Sequence, residues 1–199
     1  MDKSYLIKQL KELSDGTGME IPEDTISKVI SFSRFKVYSK GEMITRTGDR
    51  ADSAGFVISG VIRSYYVDNE GNDITQYFAA EGNWCVDSGM VGFGEMQANW
   101  EAVEDSTVML FDVKDMKELI YGDERLKSLW IEALESGMRY KIYRENGFLV
   151  ENATERYIAF RKRYPMLAER VPLRHIATYL GITPESLSRI RSSMRESFS

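Results

Sequence analysis

The side chains of this sequence that are best suited to chemistry lie between residues 183 and 192, and they could read the edges of DNA bases. Glu185 and Arg189 are four residues apart, so a helix would place both side chains on one face. A carboxylate accepts a hydrogen bond from the amino group of cytosine, and a guanidinium donates to N7 and O6 of guanine. We therefore expect this face to contact double-stranded DNA in the major groove. The expected DNA-binding residues are Arg174, Thr183, Glu185, Ser186, Ser188, Arg189, Arg191 and Ser192.

Residues 171–194 have the pattern of two short helices joined by a tight turn. Residues 173–180 carry apolar side chains at helical spacing, and Gly181 follows where a left-handed residue can end a helix. Thr183 then offers an N-cap oxygen, and Pro184 fits the first position of a second helix. Two helices joined by a glycine also occur in many all-α proteins, but the polar face of the second helix favours a DNA-binding helix-turn-helix. The residues expected to be buried in that helix are Leu187, Ile190 and Met194.

The distribution of charge supports nucleic-acid binding, although the net charge of the whole chain is −5. Residues 153–199 contain nine basic and four acidic residues, a net charge of +5, so residues 1–152 carry −10. A basic C-terminal segment on an acidic body is typical of a phosphate-contacting module attached to a sensor. We expect Arg174 and Arg191 to contact phosphates.

Composition argues against several classes of function. The chain has one cysteine, Cys85, and one histidine, His175, so no Cys-ligated zinc site, iron–sulfur cluster or internal disulfide is expected. His175 is expected to be exposed or to contact backbone rather than to bind haem or a metal. A cupin-like enzyme would need a His/Glu cluster, and no nucleophile–base pair stands out. We therefore expect no enzyme, no catalytic residue, no metal and no cofactor.

No membrane or secretory segment is expected either. No apolar stretch approaches the roughly 20 residues of a membrane span, and the N-terminal residues lack a signal-peptide core. The sequence therefore predicts a cytoplasmic protein.

Two short helices are predicted over residues 5–13 and 21–32. After them, the first half of the chain is predicted to form a β-roll. From Phe35 onward, short segments rich in β-branched and aromatic residues alternate with glycines, which is typical of a jelly roll. Residues 68–72 predict a hairpin loop between the fourth and fifth strands. The predicted strands cover residues 35–38, 43–45, 54–58, 61–67, 74–79, 99–103 and 107–113.

A long helix is predicted over residues 124–148, after a short helix over residues 113–120. The long helix carries two apolar stripes, so it is either buried within one domain or shared with a second copy of the chain. A helix of this length between two small domains favours a homodimer. One stripe consists of Leu126, Trp130, Ala133, Gly137 and Tyr140. The expected dimer-interface residues, on the other stripe, are Ile131, Leu134, Met138 and Ile142.

These elements predict an α+β chain in three parts. Residues 1–122 form a β-roll sensor domain, residues 123–150 a dimerisation helix, and residues 151–199 an all-α helix-turn-helix domain. In the last part, a capping box at residues 152–155 begins a helix that ends before Pro165.

The order of these parts resembles the Crp/Fnr superfamily of bacterial transcription regulators. The resemblance covers nearly the whole chain and is most specific over residues 41–74, which are similar to the family's cyclic-nucleotide-type β-roll, and over the helix-turn-helix. It implies a homodimer that binds double-stranded DNA, with RNA polymerase as a candidate further partner. Glu185 and Arg189 stand at the positions of the family's base-reading pair, whereas Pro184 replaces a preceding Arg. The half-site should therefore differ from that of cyclic-AMP-responsive members. Because the chain ends at Ser199, the β-wing that often follows is expected to be reduced or absent.

The ligand side departs further from the family pattern. Val86 and Asp87 stand where nucleotide-binding members carry Gly-Glu. Gln97 and Ala98 stand where those members carry Arg-Ser. A buried phosphate needs a neutralising donor such as an arginine, because an unpaired buried charge is costly. We therefore expect a degenerate pocket that does not bind cyclic nucleotides.

Two questions about the β-roll stay open in the sequence. Its effector is unidentified, and the alternative function is a cyclic-nucleotide-binding or other small-ligand signalling module in which DNA binding is secondary. Trp84, Met90 and Phe93 could line an apolar cavity or fill it, and filling is favoured.

Overall fold

The computed structural model describes residues 22–196, and these residues form seven α-helices and eight β-strands. They divide into two compact units, one comprising residues 22–64 and 78–132 and the other residues 65–77 and 133–196. The predicted helix over residues 5–13 lies outside the described residues.

The strands form two four-stranded sheets of a jelly-roll-like domain, as predicted. The first sheet has the order β1-β8-β3-β6 and the second the order β2-β7-β4-β5. Strand β8 runs antiparallel to both β1 and β3, so that Val108 lies opposite Lys36 on one side and Val57 on the other. The strands are β1 (Arg34–Tyr38), β2 (Met43–Thr45), β3 (Ser53–Ser59), β4 (Ile62–Val67), β5 (Asp73–Ala79), β6 (Trp84–Cys85), β7 (Asn99–Ala102) and β8 (Ser106–Asp112).

All seven predicted strands are present, and their ends differ from the predictions by at most one residue. Strand β6 is not predicted from the sequence, because a strand of two residues is too short to show the alternation of a half-buried strand. It pairs antiparallel with β3 through Cys85 opposite Gly55 and Trp84 opposite Phe56.

Helices α1 (Glu23–Phe32) and α2 (Val113–Tyr121) contribute to the core of the first unit. Ile26 of α1 and Ile120 of α2 are buried in one cluster with Phe111 of β8. Asp112 begins α2, because its carboxylate accepts a hydrogen bond from the backbone N–H of Lys114 at 2.7 Å.

The interior of the roll is filled by side chains. Trp84 makes edge-to-face contacts with Phe56, Phe111 and Trp130, at ring-centroid distances of 6.1, 5.7 and 5.8 Å. Met90 is buried in the same cluster. The favoured prediction is therefore confirmed for Trp84 and Met90. It is wrong for Phe93, which is 51% exposed and lies in a loop between strands rather than on a strand.

A buried ion pair, which the sequence does not predict, joins two strands of the second sheet. Arg63 Nε on β4 donates to Glu101 Oε1 on β7 at 2.8 Å, and only 3% of the Arg63 side chain is exposed. The Glu101 carboxylate offsets the charge of the buried guanidinium, which lowers the cost of burying it.

The long predicted helix is present as α3 (Glu124–Val150), which has 27 residues. It begins after Asp123, whose carboxylate accepts from the backbone N–H groups of Arg125 and Leu126. The ionised carboxylate is further bonded by the Arg125 side chain, and these hydrogen bonds lower the pKa of Asp123 to about 2.

Four shorter helices follow in the second unit. The predicted capping box is confirmed, since Asn152 and Glu155 bond reciprocally to each other's backbone N–H groups. Pro165 does end the preceding helix, but it also opens a short helix that the sequence pattern does not predict, because proline is suited to the first helical position. The four helices are α4 (Ala153–Arg163), α5 (Pro165–Arg170), α6 (Leu173–Tyr179) and α7 (Pro184–Glu196).

Among the helices of residues 22–196, none is both long and apolar enough to cross a lipid bilayer.

Candidate nucleic-acid interface

The turn between α6 and α7 is built as the sequence predicts. Gly181 has a φ of +68°, in the left-handed region that favours glycine. Thr183 Oγ1 accepts from the backbone N–H of Ser186 at 3.2 Å, which caps the first turn of α7. The Thr183 hydroxyl also lies 3.1 Å from that of Ser186, so both hydroxyls take part in the cap.

Replacing Gly181 with Ala is expected to lower the free energy of unfolding of the second unit. The new Cβ would lie 2.8 Å from a ring carbon of Phe148, and φ is positive, so strain and a clash add to about 1–2 kcal/mol. Chemical denaturation measures the loss. The matched control is Gly137→Ala within α3, where a Cβ would meet nothing within 4 Å. Alanine in a helix interior should raise stability by about 0.5–1 kcal/mol. Equal effects of the two substitutions would contradict the left-handed turn.

The outward face of α7 presents the predicted polar side chains. Glu185, Ser188, Arg189 and Ser192 are exposed, and Leu187 is fully buried on the opposite side. Ser188 and Ser192 are linked along the helix, since Ser192 Oγ donates to the Ser188 carbonyl at 3.2 Å.

The flanking positions of the helix pair are less uniform than expected. Ile190 and Met194 are half-buried rather than buried. Ser186 and Arg191 are also half-buried, whereas Arg174 on α6 is exposed. The fully exposed surface of the helix pair therefore includes only some of the predicted DNA-binding residues.

Glu185 is prepared to accept hydrogen bonds at neutral pH. Its pKa lies below the ordinary value of a glutamic acid, because its own backbone N–H and the Thr183 hydroxyl donate to the carboxylate and the Arg189 guanidinium is nearby. A carboxylate at the N-terminus of a helix is also favoured by the helix dipole.

His175 is buried, with 5% of the residue exposed. Of the two alternatives expected for it, an exposed side chain or a backbone contact, the first is therefore wrong. His175 lies on the inward face of α6 with Ile176 and Ala177, and Arg174 Nε donates to His175 Nε2 at 3.3 Å. Among the described residues, no three His, Cys, Asp or Glu side chains are grouped closely enough to hold a metal ion.

The stripe of α3 assigned to the dimer interface is exposed in the single chain. Ile131, Leu134, Met138 and Ile142 are 55, 43, 60 and 50% exposed. They follow one another at spacings of three and four residues, so they form one continuous apolar face. On the other stripe, Leu126 is buried and Tyr140 is half-buried. An exposed apolar face of this length marks an interaction surface.

None of the four residues predicted to form a degenerate ligand pocket has a basic side chain. Val86 is fully buried with a φ of +55°, a conformation that a β-branched residue rarely adopts. Asp87 and Gln97 are exposed, and Ala98 is buried. The Gln97 amide is engaged locally, since Nε2 donates to the Glu95 carbonyl at 2.9 Å. The backbone at Val86 thus has a positive φ of the kind that favours glycine, and none of the four positions offers a cation to an anionic ligand.

Comparison with known proteins identifies the β-domain and the fold of the chain. Residues 35–123 match the family model of the cyclic nucleotide-binding domain. FixK2 from Bradyrhizobium japonicum superposes with a TM-score of 0.74 at 20% identity, covering 83% of this chain and 85% of that one. CLP from Xanthomonas campestris, described as a c-di-GMP responsive global regulator, gives 0.72 at 14% identity, covering 88% and 93%. A Crp/Fnr-family transcriptional regulator from Eubacterium rectale gives 0.68 at 17% identity, covering 89% and 85%. The chain therefore has the fold of Crp/Fnr-type regulators.

Proposed function

We propose that this chain is a homodimeric, sequence-specific DNA-binding transcription regulator of the Crp/Fnr type. In this proposal residues 1–122 are the sensor domain, residues 123–150 the dimerisation helix and residues 151–199 the DNA-binding domain. It is a cytoplasmic protein and not an enzyme. The observation that carries the proposal is the exposed polar face of α7. This face includes Glu185 and Arg189, and α7 follows a tight turn and is capped by Thr183.

DNA binding places α7 in the major groove. Glu185 accepts from a cytosine amino group and Arg189 donates to guanine. Arg174 and Arg191 contact phosphates on either side, and Thr183, Ser186, Ser188 and Ser192 contribute hydroxyl groups to the same face. Pro184 at the start of α7 has no N–H or polar side chain to offer, so the half-site differs from that of members with an arginine there.

The dimer forms through the exposed stripe of α3. A single helix-turn-helix reads only a few base pairs, whereas a two-fold pair reads two half-sites about one helical turn apart. RNA polymerase is a further partner that a regulator of this type would contact.

In vitro selection from random double-stranded DNA tests the proposal. The purified full-length protein should recover an inverted repeat whose half-sites are centred about 10 base pairs, or a multiple of that, apart. Recovery of asymmetric sites only, or of no enriched sequence, would contradict the proposed function.

The sensor domain is not expected to bind cyclic AMP or cyclic GMP. With Gln97 and Ala98 at the aligned phosphate positions, dehydration of the phosphate is not offset by an arginine, so we expect a dissociation constant in the millimolar range or weaker. DNA binding should then proceed without added nucleotide. Isothermal titration calorimetry with the full-length protein measures this directly.

A low-micromolar dissociation constant for either nucleotide would favour the second candidate function, a ligand-binding signalling module in which DNA binding is secondary. The match of residues 35–123 to the cyclic nucleotide-binding domain is the observation behind that alternative. If the nucleotide also enhanced DNA binding, the expectation that DNA binding is independent of nucleotide would be wrong.

A further inference from the structure

The turn of the helix-turn-helix is held by three side chains from neighbouring helices, which we call the turn clamp: Arg144 and Phe148 of α3, and Arg156 of α4. All three lie in the second compact unit, together with α6 and α7.

The two arginines bond to successive carbonyls at the end of α6. Arg144 donates from one Nη to the carbonyl oxygen of Tyr179 at 2.8 Å, and Arg156 Nε donates to that of Leu180 at 3.0 Å. The last carbonyls of a helix have no partner within the helix and lie at the negative end of its dipole, so guanidinium groups stabilise them well.

The Arg144 guanidinium is fixed from a second direction by Tyr179. Its central carbon lies 3.6 Å from the centroid of the Tyr179 ring. The hydroxyl of Tyr179 in turn lies 3.2 Å from that of Tyr140, one turn earlier on α3. Burial raises the pKa of both tyrosines further above neutral pH, so both hydroxyls are protonated and can donate hydrogen bonds.

Phe148 lies against the turn and contacts both arginines. The guanidinium carbon of Arg144 is 4.8 Å from its ring centroid, and that of Arg156 is 5.3 Å away, which is within range for cation–π attraction. The ring also approaches Gly181 so closely that a Cβ there would lie 2.8 Å from it. The left-handed glycine and the phenyl ring therefore fit each other.

Arg144 and Arg156 are half-buried, and these contacts engage their guanidinium groups within the fold. Arg156 also donates to the carbonyl of Glu151, the residue after the end of α3. The basic charge of residues 153–199 includes Arg156, so part of that charge supports the fold rather than the DNA contact.

We propose that Arg144, Phe148 and Arg156 are positioning residues, which fix the recognition helix α7 relative to the dimerisation helix α3. The inference rests on the proposed function. If α3 forms the dimer and the clamp joins the helix-turn-helix turn to α3, the distance between the two recognition helices is set by α3. The protein then recognises one spacing of its half-sites and rejects others.

The test compares Phe148→Leu and Arg144→Met with the matched control Arg139→Met. Arg139 lies on the same helix, its side chain is 59% exposed, and it pairs with Glu135 on that helix at 3.4 Å. Each protein is titrated against the selected operator and against the same duplex with one base pair inserted between the half-sites. That insertion rotates one half-site by about a tenth of a turn.

The wild-type protein and Arg139→Met should lose about tenfold or more in affinity upon insertion, an effect similar to that of one mismatched base pair. The clamp variants should bind the selected operator about tenfold more weakly and lose less than about threefold upon insertion, because a loosened turn adapts to either spacing. A loss of stability alone would weaken binding to both duplexes alike. Clamp variants that keep the wild-type discrimination would overturn the inference.

The salt dependence separates a clamp from a DNA contact. If Arg144 touched a phosphate, Arg144→Met would flatten the slope of log affinity against log salt by about 0.9 for each lost contact. We expect an unchanged slope, and a flattened one would overturn the positioning role.

Hydrogen exchange on the DNA-free protein tests the turn clamp independently of DNA binding, so a failure of the clamp can be told from a failure of the proposed function. The amides of residues 179–187 should exchange about tenfold faster in Phe148→Leu than in Arg139→Met, while the amides of strands β3 and β8 stay protected. If the wild type selects no operator but this difference is found, the clamp stands and the proposed function fails. If operators are selected and exchange is unchanged, the clamp fails alone.

Discussion

Replacing Met138 with Asp should convert the dimer to a monomer and abolish tight operator binding. Met138 is 60% exposed and lies between Leu134 and Ile142 on the apolar stripe of α3. In a two-fold dimer each substitution occurs twice, and each buries a carboxylate without a partner. A cost of several kcal/mol for such burial raises the dimer dissociation constant by about a thousandfold or more.

Sedimentation velocity at micromolar concentration measures the change, with operator binding followed in the same samples. The matched control is Ser136→Asp. Ser136 is exposed on the opposite side of α3, and its substitution adds the same charge. The control should remain a dimer with unaltered affinity for the operator. A wild-type protein that sediments as a monomer, or a Met138→Asp protein that stays dimeric, would exclude α3 as the dimer interface.

Replacing Arg189 with Ala should weaken operator binding and remove the preference at one base pair of each half-site. A bidentate contact between an arginine and guanine contributes about 1–3 kcal/mol of discrimination. Arg189 is exposed on α7, so its loss should leave the folded state intact. The affinity of the variant for all four base pairs at that position should become nearly equal.

The control for this prediction is Arg191→Ala, two residues along the same helix. A phosphate contact carries no sequence information, so this variant should bind all duplexes more weakly by the same factor. Its salt slope should fall by about 0.9 for each lost contact. If Arg189→Ala instead kept both its affinity and its sequence preference, α7 would not be the recognition helix.

The sequence predicts the helix-turn-helix well because its signals are local. A left-handed glycine, a threonine N-cap and a proline at the first helical position each act within four residues of the turn. The same holds for the capping box of α4 and for the strands of the roll, which alternate with glycine-containing turns.

Features that depend on the partner of a side chain are not visible in the sequence. His175 is buried and Phe93 is exposed, because the packing of the surrounding elements and not the residue type decides their burial. Arg63 is buried beside Glu101, which lies on a distant segment of the chain.

The turn clamp is the most consequential of these features. In the sequence, no pattern distinguishes Arg144 and Arg156 from other charged residues, and Phe148 is the last residue of the predicted long helix. Their common role depends on where Tyr179, Leu180 and Gly181 come to lie, which is a property of the tertiary structure. Distances of 24 and 35 residues along the chain separate each arginine from its carbonyl partner.

Genome-wide mapping of binding sites in the native host tests the central claim most directly. The full-length protein, crosslinked to chromosomal DNA and recovered with an antibody, should enrich promoter segments that share a two-fold symmetric motif. The same motif should emerge from in vitro selection, and the Arg189→Ala protein should lose enrichment at those promoters. Absence of any shared motif among the recovered segments, or enrichment that is identical for wild type and Arg189→Ala, would contradict a sequence-specific transcription regulator.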